Sequence, residues 1–218
     1  MAIVDIYLRT PTQYGKLATL DQKRVRTNSG TLDRLLDPIP DSPKHTVTLQ
    51  GAAPAALTYL LDRIRTKPKS QELHLKVHDQ PFAKVVAIYE AAEVLDIKPQ
   101  QPHIAGFIVG YLSHNKLMAD DMLVVHKCFY DRRGTCKAWR VMVHQVAWYL
   151  ATSKYTADEA NELNTAAMPY PELVDAVDRK VDELFPDRRE LAERLVAAEA
   201  EADAQAEQGG MEDDSERA

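Results

Sequence analysis

Between His45 and Ile97 the hydrophobic period changes twice, and this stretch restricts the fold more than any other. Val47 and Leu49 alternate with Thr46 and Thr48, the period-two pattern of a half-buried strand. Gly51 closes it. Pro54 opens a helix in which Leu57, Leu60, Leu61 and Ile64 share one face. Lys67 to Ser70 break that pattern. Asp79 and Pro81 then start a second helix, with Phe82, Val85, Tyr89 and Ala92 on one stripe. A strand followed by two unlike helices calls for a mixed α+β fold.

The flanks extend this reading. Val4, Ile6 and Leu8 alternate with Asp5, Tyr7 and Arg9, so Ile3 to Leu8 is a strand. Lys16 to Val25 is expected to be its hairpin partner across the turn cluster Pro11 to Gly15. Ser29 is expected to cap a short helix carrying Leu32, Leu35 and Leu36. Pro38, Pro40 and Pro43 mark a loop. Beyond Leu75 the period-two patterns stop, and only helices are expected after Ser113. A helix from near His103 carries Ile104, Phe107, Ile108, Tyr111 and Leu112, and Gly106 and Gly110 on it are expected to make tight core contact. Further helices follow at Asp120 to Tyr130, Lys137 to Thr152, from a Thr156/Glu159 capping box, and at Glu172 to Phe185. Trp139, Val143, Val146, Ala147 and Leu150 form a core stripe.

The net charge of −6 conceals an uneven distribution. Of 33 acids and 27 bases, ten acids and two arginines fall between Glu190 and Ala218, a net of −8. The remainder is near neutral, at +2. Lys23, Arg24 and Arg26, like Arg132 and Arg133, read as solvated surface, so direct nucleic-acid binding is not expected. The alanine- and glutamate-rich tail is expected to be dispensable for folding. No window holds 18 apolar residues, so no membrane span is expected. Met1 to Leu8 contains Asp5, lacks a basic lead, and does not read as a signal peptide. Two cysteines fit a reducing compartment, and a cytoplasmic or nuclear location is expected.

Chemistry is hard to find. His126, Cys128, Cys136 and His144 supply four zinc-type donors, but lack paired ligand spacing. His103, His114 and His144 are not spaced to pair with Asp120, Asp121 or Glu159 as acid and base. No nucleophile elbow, Walker loop or dinucleotide fingerprint occurs. No catalytic, cofactor or metal residue is therefore assigned, and no enzyme activity is expected. The alternatives are a small helical metal-binding protein using those four donors, or an unrecognised small enzyme.

Taken in order, Val4-Asp5-Ile6-Tyr7-Leu8, Asn28-Ser29-Gly30-Thr31-Leu32, Thr46-Val47-Thr48-Leu49 with Pro54-Ala55-Ala56-Leu57, and Val85 to Ile97 resemble a BTB/POZ domain, the fold shared with the cullin adaptors Skp1 and elongin C. The chain departs from the family pattern at Asp21, Leu32 and Ile64. The resemblance implies a BTB-like small sheet flanked by helices over 1–114, a helical extension over 115–186, and an acidic tail over 187–218. It also implies an adaptor or scaffold that binds other proteins, in a cullin-type ubiquitin ligase or a transcription-associated assembly. Many such domains dimerise by swapping an element that precedes the first strand. Here that strand starts by Ile3, so the swapped dimer is not expected.

Overall fold

In the computed structural model, which describes residues 2–12, 14–37, 44–68 and 71–187, the alternation at Thr46 to Leu49 becomes the strand β3, Lys44–Gln50. It is preceded by β1, Ile3–Arg9, and β2, Tyr14–Asp21. The sheet order is β2-β1-β3. β1 runs antiparallel to β2, with a bulge at Ile6/Tyr7, and parallel to β3 in the register Ile6 to Val47. Val4, Ile6, Leu8, Val47 and Leu49 are buried, and exposed threonines occupy the other face of β3.

The second strand is shorter than Lys16 to Val25. It ends at Asp21, and the helix α1, Gln22–Asn28, begins there. The Asp21 carboxylate accepts from the Arg24 amide at 3.0 Å, so a capping side chain ends the strand where hydrophobic pattern alone continued it. The helix α2, Gly30–Leu36, follows directly. The prolines at 38, 40 and 43, and the acidic tail beyond Asp187, lie outside the described residues.

Helix α3, Pro54–Thr66, buries Leu57, Leu60, Leu61 and Ile64 and packs on β2. Helix α4 is Phe82–Leu95, α5 is Pro102–His114 and α6 is Ala119–Phe129. α4 packs against α2, α3, α5 and α6. That central position explains why it buries Val86, Ile88, Ala91 and Leu95 as well as Phe82, Val85 and Ala92, while Tyr89 stays half-exposed.

Between α3 and α4, Leu73, Leu75 and Val77 are buried and Glu72, His74 and Lys76 exposed. Among the described residues this segment has no neighbouring strand. The Gln101 carboxamide takes that place, donating to the Leu73 carbonyl at 2.8 Å and accepting from the Leu75 amide at 3.2 Å. A buried backbone group has to be satisfied by something, and here a side chain does it.

The glycine expectation for α5 is corrected. A β-carbon at Gly106 or Gly110 would meet no atom within 4 Å. The helix turns Ile104, Ile108 and Leu112 into the core, and the glycines fall on the opposite side.

A short 3-10 turn, Tyr130–Arg132, leads to α7, Lys137–Ala151; α8 is Ala157–Ala167 and α9 is Pro171–Leu184. The chain divides into two compact units, 1–142 and 143–218. In the second, α8 packs on α9, and the Thr156 hydroxyl and Glu159 carboxylate cap each other's amides at 3.2 and 2.8 Å. Among the described residues, no strand occurs after Gln50, and no helix is long and apolar enough to cross a membrane.

Candidate interaction surface

The first unit is held together around Ser29, whose side chain is fully buried. Its hydroxyl accepts from the Leu32 amide at 3.1 Å, capping α2, and donates to the Leu95 carbonyl at 2.5 Å, at the far end of α4. Backbone bonds from Gly30 to the Asp96 carbonyl and from Lys98 to the Asn28 carbonyl flank it, at 2.9 and 3.0 Å. Asp96 makes this possible by adopting a left-handed conformation (φ 49°) that turns the chain out of α4. Arg34 pairs with the Asp96 carboxylate at 3.0 Å.

Beside this junction two recesses adjoin, sharing Tyr89 of α4 and Ala105 of α5. One, of about 280 Å³, is floored by Ile108, Val109 and Phe129 and closed by Cys136 to Ala138 at the start of α7. The other, of about 410 Å³, is more polar, with Arg34, Glu93, Asp96 and Gln101. Arg132 and Glu93 pair at 3.2 Å, one from each recess. Burial raises the Tyr89 phenol above its ordinary value, with the Glu93 charge adding to it, and burial likewise raises Glu90. Nothing in the local pattern marked Tyr89 as more than a core residue. The recess is assembled from α4, α5, α6 and α7, which only tertiary packing brings together.

The four zinc-type donors have separate surroundings. His126 is buried, its ring 5.0 Å from Tyr130 and 5.4 Å from Trp139. Cys128 is half-buried, and its thiol is pushed up to about 12, by burial first and the Glu90 charge next. A thiol held protonated in this way is a poor nucleophile and a poor ligand. Cys136 is half-buried in the apolar recess, and His144 is exposed on α7. Among the described residues no three His, Cys, Asp or Glu side chains stand where they would hold a metal ion.

The acid and base candidates serve the backbone. His103 contacts the Leu75 carbonyl through Nε2 at 2.8 Å and stacks on His74 at 4.6 Å. His114 contacts the Gly110 carbonyl through Nδ1 at 2.8 Å. Asp121 accepts from the Met118 amide at 3.3 Å and is raised chiefly by burial; Glu159 caps α8, and Asp120 is exposed.

The basic residues are more engaged than a solvated surface requires. Arg24 donates to the carbonyls of Ile64, Arg65 and Lys67 at 3.2, 2.8 and 2.7 Å, at the end of α3. Arg26 pairs with Asp33 and Asp37 at 3.0 and 2.6 Å.

No family model, no curated protein and no solved structure matches this chain.

Proposed function

We propose that the chain is a non-enzymatic protein-interaction module of the BTB/POZ kind, an adaptor or scaffold for a cullin-type ubiquitin ligase or a transcription-associated assembly in the cytoplasm or nucleus. One observation carries the reading. A hairpin, two short helices, a third strand parallel to the first, and a helix follow in order, and the serine between the two short helices is bonded to the end of α4. The order strand, strand, helix, strand, helix is what the resemblance implies; the extra helix α1, the parallel pairing and the Ser29 bond are additions of the structure that support the reading. The surroundings of His103, His114, His126 and Cys128 support it, because these side chains serve packing or backbone bonding.

The test is to mix the purified full chain with recombinant cullin N-terminal domains and with BTB-binding corepressor fragments, and to follow complex formation by light scattering. A stoichiometric complex with a member of either group is the expected result. Absence of any complex, together with tightly bound zinc in the purified protein, overturns the proposal in favour of the metal-binding reading.

A further inference from the structure

Helix α9 carries an apolar arc that the fold only partly covers. Leu173 and Val177 are buried, while Val174, Val181, Leu184 and Phe185 are half-buried. With 3.6 residues per turn, Val174 and Val181 form one border of that arc, and Phe185, the residue that caps the helix, follows it. Asp178, Asp182 and Asp175 come next around the helix, and all three are exposed. Among the described residues their carboxylates have no ion pair and no hydrogen bond. Trp148, 38% exposed, continues the apolar surface, its ring 5.6 Å from Phe185.

The placement of the acids breaks a folding rule. The last turn of α9 holds no base and carries Asp182 and Glu183 at the negative end of the helix dipole, where carboxylates are unfavourable. Glu183 is offset by Lys180 at 2.6 Å, whereas Asp182 is not. A local arrangement that disfavours the helix itself points to a purpose outside it.

We propose that this strip, Val174, Val181, Phe185 and Trp148 with the ridge Asp175, Asp178 and Asp182 along its edge, docks a basic amphipathic helix of a partner protein. Apolar side chains of that helix cover the strip. Its lysines or arginines reach Asp178 and Asp182, which are one turn apart, and neutralise the charge at the end of α9. Charge also separates this occupant from the others. The chain's own segment from Glu190 has a net charge of −8, a second copy brings the same acidic ridge, and an anionic membrane surface is repelled. The strip lies in the second unit, outside the BTB-like portion, so it stands independently of the function proposed above.

The test uses the full chain and a fluorescein-labelled helical peptide with leucines at i, i+4 spacing flanked by lysines, read by anisotropy. A matched peptide with glutamates in place of the lysines is the control. The lysine peptide is expected to bind and to weaken with salt, and the glutamate peptide to bind at least about tenfold less tightly. Reversing the ridge with Asp178→Lys and Asp182→Lys is expected to weaken binding about tenfold or more, and the milder Asp178→Asn and Asp182→Asn pair to weaken it less. Asp213→Lys with Asp214→Lys changes the net charge equally and is expected to leave the affinity within about twofold. Equal binding of both peptides, or equal loss on reversing the tail acids, overturns the proposal. So does a homodimer that the ridge reversal dissolves, or peptide binding that emerges only after residues 188–218 are removed.

Discussion

The Ser29 hydroxyl and the Leu95 carbonyl, 66 positions apart, are hydrogen-bonded at 2.5 Å in a fully buried setting. One side chain thereby caps α2 and anchors the end of α4. Ser29→Ala removes the cap and strands a buried carbonyl. The expected loss is about 2–4 kcal/mol of unfolding free energy, read by urea denaturation. A loss below about 0.5 kcal/mol would show that water takes over both bonds.

Arg24 is expected to matter through the end of α3. Its guanidinium donates to two carbonyls that the helix leaves open, Ile64 and Arg65, and to that of Lys67 just beyond it, and it stands where the helix dipole favours a cation. Arg24→Met should destabilise the fold by about 1–3 kcal/mol. Hydrogen exchange should locate the effect in the last turn of α3. Uniform loosening of the whole unit would contradict this assignment.

His45 lies on β3 beside Val4, 3% exposed, and among the described residues neither ring nitrogen has a hydrogen-bond partner. Replacing a buried polar group that lacks partners with an apolar one of similar size relieves its desolvation. His45→Leu is therefore expected to leave stability unchanged or to raise it by about 1 kcal/mol, measured by thermal melting at neutral pH. A marked loss would contradict the absence of a partner.

Asp5 gives the fold an acid limb. It points from β1 toward Thr19, which donates at 2.6 Å, and is paired with Lys16 at 2.7 Å and Lys44 at 3.1 Å. The Lys16 contact first, then Thr19 and Lys44, hold its carboxyl well below the usual range against the opposing effect of burial. A carboxylate lowered in the folded state stabilises the protein fully above its unfolded value of about 3.9. That contribution fades as pH falls below this value toward the folded one. The melting temperature of the wild type should thus drop more steeply below about pH 4 than that of Asp5→Asn. Parallel acid limbs in the two proteins would refute the coupling.

Where structure follows local rules, the sequence was readable. The alternation at Thr46 to Leu49, the proline opening α3, the Ser29 cap and the Thr156/Glu159 box depend on neighbours within a turn or a strand. The end of β2 was missed because Asp21 acts as a cap only once Gln22 to Asn28 coil, and hydrophobic pattern did not register that. Gly106 and Gly110 were misread because four-residue spacing shows that they share a face but not which way it points. The recess at Tyr89 and the service of Arg24 to α3 were hidden for another reason. Their partners lie far off in sequence, and no periodicity reports them. The open border of α9 combines both cases. Its apolar arc was legible, and its incomplete coverage at Val181 and Phe185 was not.

The function we propose is that the chain acts by binding another protein through its first unit, without chemistry of its own. The most direct measurement is to recover the tagged full chain from its native cells, rebuild the complex from purified components, and map contacts by cross-linking with mass spectrometry. The account predicts a stoichiometric protein complex with cross-links to residues 1–142, whether or not α9 is also engaged, and no turnover of a small molecule. Co-purification of a metal or small-molecule substrate in place of a protein partner, with turnover, would contradict it.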